Sequence, residues 1–290
     1  MKSIAHYLIA GLAGCSILAS HAMAEPETPA EKLGWKLGVQ AYTFRALTLF
    51  ETVDKVHELG LKYIEMYPGQ KLKPDSDVKS GLGMSQSDIA ELKAKLKADN
   101  VKLFSFGVAP IPTNEPEASQ YFEWAKNLGL EVLVTETTPT EMMDKLTGEF
   151  GIKIAIHNHP TTWPPEEVLA ATKDFSPRIG SCADVGHWSR AGLDTVATLK
   201  ELGSRVIHLH LKDVAPVKNP KAGDTLYQKI PDVPWGTGES NVRGMLAELK
   251  SGGFKGCMMI EYETGTVDEL MQNIPKCIQF YNQTALDLGK

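Results

Sequence analysis

Short apolar runs recur along the chain at fairly regular intervals, and most are followed by a stretch with helical spacing. The runs cover residues 37–42, 63–66, 101–106, 132–134, 152–156, 179–183, 206–211 and 257–260. They are short, apolar and partly β-branched, as strands buried on both faces of a parallel sheet are. Between them, Leu49, Val53, Val56 and Leu59 step at three and four residues, as do Ile89, Leu92 and Leu96. That spacing places the apolar side chains on one helical face. Ser85 or Ser87 is positioned to cap the second of these helices and Asn100 to end it. Residues 195–202, 242–249 and 267–280 carry the same pattern. No linker rich in Pro, Gly or Ser divides the series. Eight strand candidates alternating with helices predict an α/β protein built as a single (β/α)8 TIM barrel, with eight parallel strands inside and helices outside. A doubly wound open sheet is the competing arrangement, but no GxGxxG follows the first run.

The N-terminus falls outside this rhythm. Lys2 precedes an apolar run over 4–19, interrupted by His6 and Ser16, and Ala22-Met23-Ala24 then stands before Glu25. A basic start, an apolar middle and a small-x-small exit form the layout of a secretory signal peptide. The run is short for a membrane span, which takes roughly 20 residues. A membrane anchor is one alternative. A lipoprotein is another, since Leu12-Ala13-Gly14-Cys15 resembles a lipidation box, although Ile17 and Leu18 continue the apolar run beyond Cys15. The expected organisation is a signal peptide over 1–24 and a barrel domain over 25–290. The protein is then exported, periplasmic or extracellular, with no transmembrane segment in the mature chain.

Composition narrows the function classes. Apolar residues make up 42% and charged residues 23%, which describes a folded chain and not a disordered one. The net charge of −6 argues against a nucleic-acid surface, which is usually basic. Four cysteines without a CxxC pair exclude a disulfide scaffold and a zinc ribbon. Cys182 and Cys257 lie in or beside apolar runs and read as buried, inert thiols.

In barrels of this kind the active site lies at the C-terminal ends of the strands. The first run ends in Tyr42-Thr43-Phe44-Arg45, and the second carries Glu65. The fourth ends in Thr135-Glu136-Thr137, the fifth in His157-Asn158-His159-Pro160, and the sixth in Asp184-Val185-Gly186-His187. The seventh holds His208 and His210 and continues into Lys212-Asp213; the eighth ends in Glu261-Tyr262-Glu263. Five of the eight histidines thus fall at one predicted rim, too many to explain as packing. Imidazoles mixed with carboxylates suit one divalent metal ion, and Mn²⁺, Zn²⁺, Co²⁺ and Fe²⁺ all remain open. His208 shares a strand face with His210 and is placed to orient a ligand, and His159 shares one with His157. Glu65 reads as a layer or rim residue. Arg45 and Lys212 could equally be solvated rim charges.

These strand ends resemble the xylose isomerase-like barrel superfamily, the sugar (phosphate) isomerases and epimerases. The matching pieces are residues 40–45, 156–160, 184–187, 208–213, Pro234-Trp235-Gly236-Thr237-Gly238-Glu239 and Glu261-Tyr262, in the family's order and across nearly the whole predicted domain. The resemblance implies one metal held by four side chains from strands 5 to 8. Asp184, His210 and Glu261 match three of them. The fifth strand departs from the pattern, with His157-Asn158-His159 where the family usually has Glu-Asn-His. Either His157 takes the metal or Glu136 supplies the missing carboxylate.

The implied chemistry is removal of a proton beside a ketone, with the metal as Lewis acid and an enediolate as intermediate. Glu261 or His157 would act as base and Lys212 would stabilise charge or donate a proton. His187, His159, Tyr42 and Arg45 would contact substrate. With one carboxylate lost, two-base epimerisation gives ground to isomerisation, elimination or hydration. Export favours an unphosphorylated keto sugar or sugar derivative, so a lyase or hydratase acting on 3-keto-glycosides is the main alternative. An exported sugar-binding protein is the non-enzyme alternative. The superfamily's DNA-repair branch would need a basic groove that this charge does not provide. Barrels of this kind often pair, so a homo-oligomer is an expectation that no residue pattern specifies.

Overall fold

The computed structural model describes residues 27–216 and 230–290. The signal-peptide reading of residues 1–24 and the alternative lipidation of Cys15 lie outside the described residues. Eight parallel strands close into a barrel in sequence order: β1 (Trp35–Gln40), β2 (Tyr63–Met66), β3 (Lys102–Phe106), β4 (Val132–Thr135), β5 (Lys153–His157), β6 (Ile179–Asp184), β7 (Val206–Leu211) and β8 (Gly256–Ile260). β1 pairs with β8 over five residues, so the sheet has no free edge.

Among the described residues the helices are α1 (Pro29–Lys32), α2 (Leu49–Glu58), α3 (Gln86–Ala98), α4 (Glu115–Leu128), α5 (Glu141–Phe150), α6 (Pro165–Thr172), α7 (Val185–Arg190), α8 (Thr195–Leu202), α9 (Val242–Ser251) and α10 (Val267–Leu288). Local chemistry fixes their starts. Thr48 with Glu51, Ser85 with Asp88 and Thr266 with Glu269 each form a capping box, in which side chain and backbone satisfy each other's unpaired groups. Ser85, and not Ser87, is therefore the cap of α3. Asn100 follows α3 with φ of 55°, the left-handed conformation that asparagine tolerates at a helix end.

Two layers of core result. One lies between sheet and helices, where Val53, Val56, Ile89, Leu92 and Leu96 are buried against the strands. The other fills the barrel and includes Phe104, Val132, Val134, Cys182, Cys257 and Met259. Cys182, Cys257 and Cys277 are buried and unpaired, and burial pushes the Cys182 and Cys277 thiols up to about 12. They stay protonated and inert at neutral pH.

Two boundaries differ from the sequence pattern. β1 ends at Gln40, and residues 41 and 42 enter a 3-10 turn, Ala41–Phe44. The Gln40 side chain accepts the Tyr42 N–H and turns the chain there. α10 runs on to Leu288 because Tyr281, Thr284 and Ala285 continue its buried face. No helix among the described residues is long and apolar enough to cross a membrane.

Candidate metal centre

Strand ends bring four buried side chains to one point. His157 closes β5, Asp184 closes β6, His210 lies one residue before the end of β7, and Glu261 follows β8. One donor atom from each lies within 4.8 Å of all the others. His157 Nε2 is 3.5 Å from Asp184 Oδ2, and His210 Nδ1 is 3.1 Å from Glu261 Oε2.

Each is aimed by its neighbours. Asp184 also caps α7, so its Oδ1 accepts the His187 N–H at 2.9 Å and only Oδ2 turns to the centre. Asn158, the residue after β5, grips the Asp184 backbone, donating to its carbonyl at 3.0 Å and accepting its N–H at 2.9 Å. His210 is fixed from inside the barrel, where its Nε2 lies 2.9 Å from Glu65 Oε1. Glu65 is fully buried. Its Oε1 also accepts Gln40 Nε2 at 2.7 Å, and its Oε2 meets Ser105 Oγ and His208 Nε2, both at 2.6 Å. Four donors therefore fill the four acceptor positions of one carboxylate. Burial works to raise the Glu65 carboxyl, but His210 and His208 outweigh it and hold it well below the usual carboxylate range. With Nε2 committed to Glu65, His210 presents Nδ1 to the centre.

Lys212 is as buried as these residues. Its Nζ donates to Glu263 Oε2 at 3.0 Å and stands 2.9 Å from Asp184 Oδ2 and 3.0 Å from Glu261 Oε2. Gly186 makes room for it, since a Cβ there would lie 2.5 Å from Lys212 Cδ. Burial disfavours the ammonium, yet Asp184, Glu261 and Glu263 raise its pKa well above the ordinary lysine value. Burial also acts to raise Glu261, but Lys212 and then His210 hold it at about 2. The solvated-rim reading of Lys212 is thereby corrected: it is a buried cation among carboxylates.

The donor set fits a divalent ion. Asp184 Oδ2, His210 Nδ1 and Glu261 Oε2 are buried and make no well-aligned hydrogen bond, and the two carboxylate oxygens have the Lys212 ammonium beside them as an ion-pair partner. Three converging atoms, two from carboxylates and one from an imidazole, match the nitrogen and oxygen preference of Mn²⁺, Fe²⁺, Co²⁺ or Zn²⁺.

The remaining predicted residues surround this point. Glu136 stands apart from the four and groups instead with His157 and His159. Its Oε1 contacts His159 Nδ1, and the His157 and His159 imidazoles hold its carboxyl down at about 2. His187 Nε2 is 3.5 Å from Asp184 Oδ2. Burial drives the His187 pKa down to about 3, against the attraction of Asp184, so the ring is neutral at pH 7. Tyr42 and Arg45 are exposed on the rim, with the Arg45 guanidinium 4.9 Å from the Tyr42 ring centroid and its Nη2 donating to the Glu263 carbonyl at 2.7 Å.

Several contributors carry little local signal. Asp232 Oδ1 accepts Arg190 Nη2 at 2.7 Å and its Oδ2 accepts the Glu263 N–H at 2.8 Å, which steadies the acid behind Lys212. Asp213 accepts the backbone N–H groups of Gly236, Gly238 and Ser240 and stitches the 234–239 loop to the end of β7. The two glycines are the trace of that contact in the sequence. A Cβ on Gly238 would lie 2.3 Å from the Val214 carbonyl oxygen.

The model of one family, the xylose isomerase-like TIM barrel, matches residues 139–283. A solved structure of an uncharacterised protein from Parabacteroides distasonis is 31% identical, covers 86% of this chain and 99% of its own, and superposes with a TM-score of 0.67. The chain belongs to the xylose isomerase-like TIM barrel family. Two curated relatives match parts of it. The rhizopine catabolism protein MocC of Rhizobium meliloti is 29% identical over 133 residues, 43% of this chain and 40% of that protein. Inosose dehydratase of Mesomycoplasma hyopneumoniae is 36% identical over 80 residues, 26% of each chain. This xylose isomerase-like barrel therefore spans well under two thirds of the length of either relative. Family membership and the buried cluster together support metal-dependent processing of a small carbohydrate.

Glu65→Gln tests how the centre is tuned. An amide cannot accept from four donors, so His210 loses its fixed tautomer. The expected result is divalent-metal affinity weakened roughly 10–100-fold, as for loss of other groups that orient a metal-binding histidine. Competition with a chromogenic chelator measures it. Unchanged affinity would remove Glu65 from this role.

Proposed function

We propose that this barrel abstracts a proton from the carbon beside a ketone in an unphosphorylated keto sugar or sugar derivative, as a divalent-metal-dependent isomerase or epimerase does. What carries the reading is the buried four-donor cluster with Lys212 packed against two of its carboxylates. His157 through Nε2, Asp184, His210 and Glu261 would hold the ion. When bound, the ion supplies a Lewis acid that polarises the carbonyl and stabilises the charge left by proton removal.

The protein groups divide the remaining work. Glu261 is ionised at neutral pH and accepts the proton. The Lys212 ammonium, next to it, stabilises negative charge on the substrate oxygen. Neutral His187 and the half-exposed His159 hydrogen-bond sugar hydroxyls, and Tyr42 and Arg45 border the mouth. Lys212 is already engaged by carboxylates, and so is Arg190, 3.6 Å from Glu263 and bonded to Asp232. Neither is a ready partner for a phosphate, in keeping with an exported enzyme that meets free sugars.

A second reading is elimination. The strand 5 position offers an imidazole where two-base epimerases of this family carry a carboxylate, and part of the chain is similar to an inosose dehydratase. In that reaction Glu261 takes the α-proton. A hydroxyl or glycosyl oxygen on the next carbon leaves with a proton from His157 or His159, forming the carbon–carbon double bond.

Incubation of the metal-loaded protein with ketoses and 3-keto-glycosides in D₂O, followed by NMR, tests the reading. Wild type is expected to exchange the α-proton for deuterium. Glu261→Gln should slow this by about 10²–10⁴-fold, the usual contribution of a general base. Exchange with an isomeric product supports the first reading, and loss of water or aglycone the second. Sugar binding without exchange would leave a binding protein.

A further inference from the structure

His157 has two ring nitrogens, and they face different groups of ligands. Nε2 looks into the centre described above, 3.5 Å from Asp184 Oδ2. Nδ1 looks the other way, 3.7 Å from Glu136 Oε1, and is buried with no hydrogen-bond partner. The same Glu136 oxygen contacts His159 Nδ1. Donor atoms of Glu136, His157 and His159 lie within 4.8 Å of one another. This group is held from the side. Trp163 Nε1 donates to the Glu136 carbonyl at 2.9 Å, and His159 and Thr162 exchange two backbone hydrogen bonds across a tight turn. The His157 and His159 rings meet edge to face, with centroids 4.7 Å apart.

From these contacts we propose a second divalent-cation site at the barrel mouth, formed by Glu136, His159 and Nδ1 of His157, with His157 shared between the mouth and the core. Two imidazoles and one carboxylate form a donor set that Zn²⁺ and Co²⁺ accept with a coordination position left open. The unpartnered Nδ1 is the atom that calls for a ligand. A hydrogen bond between Glu136 and His159 would satisfy those two groups but not a third nitrogen buried beside them. With both sites filled, His157 would be held through both ring nitrogens and would release its ring proton to solvent. The His159 side chain is 46% exposed and that of Glu136 34%, against 9% or less for all four core ligands. The mouth ion is therefore the weaker and faster-exchanging one.

The inference uses the core reading only through His157, and metal stoichiometry separates the two. Tag-free protein stripped with a chelator is titrated with Zn²⁺, and bound metal is counted by equilibrium dialysis and mass spectrometry. Two ions per chain are expected. Glu136→Gln and His159→Ala should each leave one, with at least a 100-fold loss at the weaker site. Asp184→Asn should lose the tighter ion and keep the weaker. Both mouth substitutions fall at partly exposed side chains, and circular dichroism checks that the fold is retained. One ion in wild type, lost in Asp184→Asn, overturns the mouth site and leaves the core reading. Two ions in His159→Ala also overturn it. No ion at all overturns both.

Discussion

His210→Ala is expected to weaken binding of the core divalent ion by more than about 100-fold, because loss of a group that merely orients a ligand already costs roughly 10–100-fold. Sugar turnover should fall to background with it. His210 is the one member of the cluster tied both to another proposed ligand, Glu261, and to the buried carboxylate Glu65. Its removal deletes the donor Nδ1 and also leaves Glu65 one donor short. The measurement is metal content of purified protein together with chelator competition, with a thermal melt to show that the fold survives. His157→Ala is the informative companion. Loss of the tighter ion from both variants places His157 among the core ligands. Loss of that ion only from His210→Ala removes His157 from the core set. A wild type that binds no divalent ion, even after incubation with Mn²⁺, Zn²⁺, Co²⁺ and Fe²⁺, would remove the chemistry proposed above.

The architecture was legible because strands buried on both faces show up as uninterrupted apolar runs, and the helices between them show one apolar stripe. Strand ends were legible to within about two residues, the usual uncertainty of such boundaries. Tyr42 is an example: it continues the apolar run but lies in the turn that Gln40 initiates. The histidines and acids at the rim stood out because polar residues rarely end so many apolar runs. What the pattern concealed was contact across the barrel. Glu65 and His208 are 143 positions apart and meet at 2.6 Å. No local spacing encodes that meeting, so Glu65 could be read only as a layer or rim residue. The environment of Lys212 was hidden for a similar reason. A lysine just beyond a strand looks solvated until three carboxylates from β6 and from the segment after β8 are found around it. Even then the small residue at 186 marks the space it needs only in retrospect.

Lys212→Met is expected to produce the largest change in stability, and one that depends on metal. Without a divalent ion, the Lys212 ammonium is the shared counter-charge of Asp184, Glu261 and Glu263. Taking one partner out of a buried ion pair leaves its charge uncompensated and costs about 3–5 kcal/mol. At roughly 2–4 °C per kcal/mol for a domain of this size, the melting temperature in chelator should drop by roughly 10 °C. A divalent ion supplies positive charge to two of the same carboxylates. Saturating metal should therefore restore more stability to Lys212→Met than it adds to wild type. At about 100 times the dissociation constant, binding alone contributes about 2.7 kcal/mol, enough to be read in a melt. Arginine is not expected to substitute for the lysine. Its guanidinium is larger and planar, and the Lys212 stem is already packed against Gly186. Stability and catalysis then come apart in one variant. If Lys212 serves only as a structural counter-charge, metal-loaded Lys212→Met regains proton exchange along with its melting temperature. If the ammonium also stabilises charge on the reacting oxygen, as proposed, the variant is stable and still slow. An unchanged melt in chelator would mean that the three carboxylates do not depend on Lys212 for their charge balance.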